Sequence, residues 1–159
     1  MNKNQLSSSD LSREIKLQKN FNKDNYIVGE TNVQKRFFIR KFIHRYKFML
    51  NEAGIVTGDD CSFELSHHYG YENIEKFGAF LITVINGIYC KKLVCLLKDQ
   101  YHPRHKHYKK IETFHILYGN LTLKKQNITY NLSPGDKINI LNNEWHEFTS
   151  DTGCIFEEV

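Results

Sequence analysis

Residues 105–119 read His105-Lys106-His107-Tyr108-Lys109-Lys110-Ile111-Glu112-Thr113-Phe114-His115-Ile116-Leu117-Tyr118-Gly119. From Glu112 to Tyr118 the residues alternate with the two-residue period of a half-buried strand. That period turns His115 away from the face that carries Glu112. His105 and His107 stand two apart on an expected strand over 105–108, so both imidazoles project from one face. Gly119-Asn120 is a turn signal that sends the next strand back along this one.

The same punctuation continues on both sides. Downstream, strands are expected over 121–125, 128–132, 137–141, 146–149 and 154–158. They are separated by Lys125-Gln126-Asn127, Ser133-Pro134-Gly135-Asp136, Asn142-Asn143 and Asp151-Thr152-Gly153. Upstream, the apolar runs 79–85 and 91–97 are strand-length and flank a turn at Gly87. Short strands with turns every few residues predict an all-β sandwich or barrel. The N-terminal third differs. Phe38, Phe42, Tyr46, Met49 and Ala53 recur at helical steps, Gly54 supplies a stop, and Lys35, Arg36, Arg40, Lys41, His44 and Lys47 form a basic opposite face. We read that face as solvated. A shorter helix through Leu11, Ile15 and Leu17, capped by Ser9-Asp10, is also expected. The chain therefore divides into an N-terminal polar segment and basic amphipathic helix (1–60) and a β-barrel (61–159).

Composition narrows the function classes. The 159 residues are 40% hydrophobic and 25% charged, which argues against a wholly disordered chain. No apolar run approaches the ~18 residues of a membrane span, and Met1 to Ser12 is polar, so we expect a cytoplasmic protein. A net charge of +4 is too weak to imply nucleic acid. Cys61, Cys90, Cys95 and Cys154 follow no metal or disulfide spacing and are read as mostly buried thiols.

Eight histidines are the unusual count. His105, His107, Glu112 and, about 35 residues later, His146 offer three imidazoles and one carboxylate. That donor set suits one divalent transition metal with positions left open, and it does not separate Mn, Zn, Fe, Ni and Co.

His-x-His, Glu and Gly, followed by Pro134-Gly135 and a distal His, resemble the two motifs of the cupin superfamily over roughly residues 77–158. The resemblance implies a double-stranded β-helix (jelly-roll) barrel with the metal in its mouth, here with the N-terminal helical extension, and a homodimer. Phe63 to Gly70, Ile82 to Leu93 around Tyr89-Cys90-Lys91-Lys92-Leu93, His102-Pro103, Glu112 to Gly119 and Ile155 to Glu158 are similar to a narrower, sugar-associated group. That group includes cupin extensions of sialic acid (nonulosonate) synthases and the D-lyxose isomerase type. It implies a small sugar ligand and aldose–ketose isomerase or epimerase chemistry in bacterial surface-polysaccharide metabolism.

Within that frame Lys110 and Glu157 are the expected proton-transfer residues, Lys110 with a pKa lowered beside the cation. Of Glu157 and Glu158, which alternate in facing, at most one reaches the interior. His102, Tyr118 and Trp145 are expected to contact substrate; the adjacent His67 and His68 are expected to face opposite ways and to form a substrate-mouth or dimer-contact element rather than a metal site. Gly87 and Ile88 stand where the group carries an Arg-Glu pair, and Ile111 where an acidic residue precedes the ligand Glu. A non-catalytic sugar-binding or partner-stabilising module and an iron-dependent dioxygenase are therefore the alternatives.

Overall fold

The computed structural model describes residues 32–159. Helix α1 (Asn32–Glu52) is followed by β1 (Ser62–His67), a 3-10 turn (Tyr71–Asn73), the single turn α2 (Ile74–Phe77), then β2 (Gly78–Asn86), β3 (Cys90–Leu96), β4 (Tyr101–His105), β5 (Glu112–Gly119), β6 (Leu121–Lys125), β7 (Ile128–Leu132), β8 (Lys137–Ile140), β9 (His146–Thr149) and β10 (Cys154–Glu158). Every strand pairing is antiparallel, in two sheets: six strands ordered β1-β2-β3-β10-β5-β8 and four ordered β4-β9-β6-β7. The short helix expected through Leu11, Ile15 and Leu17 lies outside the described residues. No described helix is long and apolar enough to cross a membrane.

The two sheets close on one apolar core built by alternate residues of each strand. Val94, Leu96, Phe114, Ile116, Leu121, Leu123, Phe148 and Phe156 are buried there. Phe114, Phe148 and Phe156 form a mutual aromatic cluster with ring centroids 4.6–5.7 Å apart. Helix α1 lies on the outer face of the six-stranded sheet. Ile39, Phe42, Ile43, Tyr46, Met49 and Leu50 pack there against Leu65, Phe80, Ile82, Leu93, Cys95, Leu97 and Ile155. This second layer explains why β2 and β3 read as continuous apolar runs: Leu93, Cys95 and Leu97 face the helix while Val94 and Leu96 face the barrel.

The helix stops where the sequence places its stop. Gly54 is left-handed (φ 65°), its N–H donates to Asn51 O and that of Ile55 donates to Leu50 O. These two bonds satisfy the last carbonyls as a Schellman cap.

Two strands lie where the sequence pattern did not put them. β1 is a strand that the apolar pattern missed, because only Leu65 of its six residues is buried. The strand expected over 105–108 lies upstream, at Tyr101–His105, and ends at His105. Pro103 masks it. Proline is tolerated at a sheet edge or bulge, and β4 is an edge strand whose register shifts between His102 and His105.

Gln100 sets up the passage from one sheet to the other. Its fully buried side chain accepts from Tyr46 Oη (2.8 Å) and Leu97 N (2.7 Å) and donates to Ile74 O (2.8 Å). Asp99, at φ 65°, turns the chain, and its N–H donates to Ser150 O at 2.7 Å. β4 therefore starts from a fixed point on the helix–barrel interface. All four cysteines are free thiols; Cys95 and Cys154 are buried, while Cys61 and Cys90 are half-buried.

Candidate metal centre

Strand pairing brings the first two imidazoles together, because His105 on β4 is the register partner of His146 on β9. Directly opposed residues on adjacent antiparallel strands lie within contact, and these rings are 4.0 Å apart. His107 is off the strand, so the face-sharing argument for it fails. It comes back through the loop after β4, which is pinned where Asn143 N–H donates to His107 O (2.7 Å). The ligand-type nitrogens of His105, His107 and His146 lie within 4.8 Å of one another.

The carboxylate comes from the other sheet. Glu112 opens β5 opposite Ile140, and only 2% of its side chain is exposed. Its Oε1 is 3.2 Å from His107 Nε2 and its Oε2 is 3.6 Å from His146 Nε2. The cluster thus joins both sheets over an apolar floor, with Phe114 6.2 Å from the His146 ring.

The tautomers suit a ligand role. His105 Nδ1 lies 2.9 Å from Pro103 O and His146 Nδ1 3.1 Å from Glu144 O. A carbonyl accepts only, so each Nδ1 carries the hydrogen and each Nε2 keeps a lone pair. Burial pushes the His105 pKa down to about 4 and lowers that of His146, so both imidazoles are neutral near pH 7. Two donor atoms, Glu112 Oε2 and His146 Nε2, are buried with no hydrogen-bond partner. Orphaned buried polar atoms are uncommon and call for an explanation. Lone pairs converging on one point are what a cation requires, so the donor set fits a divalent ion.

The remaining candidates divide. Lys110 reaches the cluster: its Nζ donates to Glu112 Oε1 at 2.6 Å and also to Glu158 Oε1. Burial disfavours its charge, but these hydrogen bonds outweigh that and raise its pKa above the ordinary lysine value, against the lowered pKa expected from sequence. Glu157 does not reach the cluster. It pairs with Lys91 (2.6 Å) and His115 (3.3 Å) on the opposite face, and the Lys91 hydrogen bond holds its carboxyl below the usual range. The carboxylate on the site's side is Glu158, whose register partner Phe114 shares a face with Glu112. The alternation was legible but its parity was not, because both faces of Cys154-Ile155-Phe156 are buried and give no inside–outside contrast.

His102 is at the site. Its ring stacks on Phe148 (4.4 Å, 15°) and lies 4.5 Å from His105. Burial, first, pushes its pKa down to about 2. His68, one of the pair expected at the substrate mouth or a dimer contact, sits with Nε2 2.9 Å from His102 Nε2. Its neighbour His67 ends β1, and the quoted His67-His68 pair was the only signal. Tyr118 does not reach the cluster. It lies toward the other end of β5, packed against the helix layer, where it lines a groove of about 460 Å³ with His44, Phe48 and Met49. Trp145 is 39% exposed, and Arg104 and Lys106, which flank His105, lie 5.1 and 5.0 Å from its ring centroid. It is on the rim and not packed between the sheets.

No family model matches the chain, and no curated protein matches it. Solved structures do. A predicted oxalate decarboxylase from Thermotoga maritima superimposes with a TM-score of 0.54 at 16% identity, over 65% of this chain and 95% of that one. KdgF from a Halomonas species (TM-score 0.48, 13% identity, 50% and 74% coverage) and a cupin-2 domain protein from Shewanella frigidimarina (0.45, 17%, 58% and 80%) are also similar. At these identities the likeness concerns architecture alone. This chain shares the fold of the Thermotoga maritima structure, a double-stranded β-helix (jelly-roll) barrel, with an N-terminal helix on its outer face and a His triad in the barrel that could hold a metal ion.

Proposed function

We propose that His105, His107, His146 and Glu112 hold one divalent transition-metal ion, and that the centre serves isomerisation or epimerisation of a small sugar. The observation that carries the metal reading is the pair of buried donor atoms without a hydrogen-bond partner, Glu112 Oε2 and His146 Nε2, beside the triad of His105, His107 and His146. The sugar reading rests on the motifs quoted from the sequence. A bound divalent ion supplies the positive charge that stabilises negative charge developing on vicinal sugar oxygens.

The protein's own groups supply the rest. The Nδ1 hydrogen bonds of His105 and His146 to backbone carbonyls fix ring orientation. Phe114 and Phe148 exclude water from below, which strengthens each charge interaction above them. Glu158 is the carboxylate beside the cluster that is outside the ligand set, and it is the group placed to move a proton. This role replaces the one expected of Glu157. His102 and His68 line the same cluster and can meet sugar hydroxyls as donor or acceptor.

A second reading, a centre that binds a sugar without turning it over, is favoured by Ile111. This residue is 60% exposed where the related motifs carry an acid. Incubating metal-loaded protein with a panel of aldoses in D₂O separates the two. Deuterium incorporation at C2 or aldose–ketose interconversion is the expected result. Binding without exchange across the panel contradicts catalysis.

A further inference from the structure

We propose that Lys110 is a positioning residue: it pins one oxygen of Glu112 so that the carboxylate meets a metal ion through its other oxygen alone. The inference rests on the metal reading above and concerns how that centre is configured. Both Glu112 oxygens lie at ligand-to-ligand distances from imidazole nitrogens, Oε1 3.2 Å from His107 Nε2 and Oε2 3.6 Å from His146 Nε2. Distance alone would therefore permit either oxygen, or both, to bind a cation. Lys110 breaks the symmetry. Its Nζ donates to Oε1 at 2.6 Å, while Oε2 is buried with no partner.

Glu158 fixes the lysine in turn. It accepts from the same Nζ from the last strand, and the termini of β5 and β10 are tied together by Thr113 N–H to Val159 O (2.8 Å) and Val159 N–H to Thr113 O (3.2 Å). A four-carbon side chain anchored between two carboxylates cannot swing away from Oε1 without leaving a charge unpaired. The arrangement is a clamp: Glu158, Lys110 and Glu112 Oε1 on one side, and Glu112 Oε2 facing the three imidazoles on the other.

The consequence is the number of positions left for a ligand. A six-coordinate ion held by three nitrogens and one carboxylate oxygen keeps two positions. Held by both oxygens it keeps one. Two neighbouring positions are what chelation of vicinal oxygens requires, so the clamp decides whether a diol or hydroxy-carbonyl group can be gripped at two points. A lysine placed this close to a metal carboxylate is counter-intuitive, since it repels the cation. Control of the carboxylate's binding mode gives it a purpose that a proton-transfer role does not need.

The test loads the full chain with Mn(II), counts bound ion by electron paramagnetic resonance, and measures water-proton relaxivity as a readout of exchangeable positions. Wild type is expected to bind one Mn(II). Lys110→Met, freed of the clamp, is expected to bind one Mn(II) with the inner-sphere contribution to relaxivity reduced by about half. Glu158→Gln, which loosens the lysine without placing an apolar group there, should move relaxivity the same way by less. Loss of Mn(II) in Lys110→Met that Lys110→Arg restores also supports the clamp, because arginine can donate to both carboxylates. Loss that arginine does not restore overturns it, as does one bound Mn(II) with unchanged relaxivity in Lys110→Met and Glu158→Gln. Wild type that takes up no Mn(II) overturns the metal reading itself.

Discussion

Removing or supplying a divalent ion should change the stability of this fold by an amount set by the cluster. Without a cation, Glu112 Oε2 and His146 Nε2 are buried and unpartnered. Each such atom costs about 1–3 kcal/mol of unrecovered desolvation. An ion that satisfies both recovers about 2–6 kcal/mol, and linkage gives a value inside that range, about 2.7 kcal/mol for ligand at about 100 times its Kd. For a chain of this length, about 3 kcal/mol corresponds to a rise in Tm of about 6–12 °C. The assay is a circular-dichroism melt of chelator-treated protein with and without added Mn(II), Zn(II), Co(II) or Ni(II). At least one ion should give a shift of that size, and His146→Ala should abolish it. A Tm unmoved by every ion, or an equal shift in His146→Ala, would rule out a cation satisfying these two atoms.

Three further outcomes follow from the fold. Gly119→Ala should destabilise by about 3 kcal/mol or more in urea unfolding. Gly119 sits at φ +68°, and an added Cβ would overlap the Gly153 carbonyl oxygen, with Gly153 C at 2.9 Å and Cys154 Cα at 3.2 Å; a loss under about 1 kcal/mol would contradict the close approach of β5 and β10. Gln100→Leu strands Tyr46 Oη, Leu97 N and Ile74 O in a buried setting and should cost about 3 kcal/mol or more, whereas Tyr46→Phe, which leaves the other two bonds in place, should cost about 1 kcal/mol. The pH dependence of the chelator-treated protein has a fixed sign. The folded pKa of His105 is about 4, below the ordinary imidazole value of about 6.5, so the unfolded chain binds more protons between the two. Stability present above pH ~6.5 is lost as pH falls toward ~4, by about 1–2 kcal/mol after allowance for solvent screening of a partly exposed ring. Urea titrations at pH 7 and pH 4.5 check this, and His105→Gln should flatten the difference.

The part of the fold most legible in the sequence is the run of turn-separated strands from β5 to β10. There, alternation and glycine punctuation act locally and each strand has one barrel-facing side. β4 was misplaced because its position is set by a buried network through Gln100 and by an edge bulge at Pro103, neither of which leaves a periodic trace. In the candidate site, the clustering of His105, His107, Glu112 and His146 was legible from ligand chemistry and spacing. The reason given for His107 was nevertheless wrong, since a loop and not a strand face delivers it. Glu158 in place of Glu157, and which of His67 and His68 meets the site, were out of reach for a different reason. Their roles depend on which side of a strand is inside and on which loops meet across the barrel, and both are long-range facts. Tyr118 failed likewise, because a register shift between Ile155 and Phe156 lies opposite it and α1 covers that end of β5.

A single divalent ion held by His105, His107, His146 and Glu112 is open to direct measurement. Elemental analysis of purified protein after metal loading and desalting tests it most directly, with His107→Ala and Glu112→Ala alongside and folding verified by circular dichroism. One equivalent of divalent metal is expected in wild type and far less than one in either variant. Wild type without stoichiometric metal, or folded variants that retain a full equivalent, would contradict it.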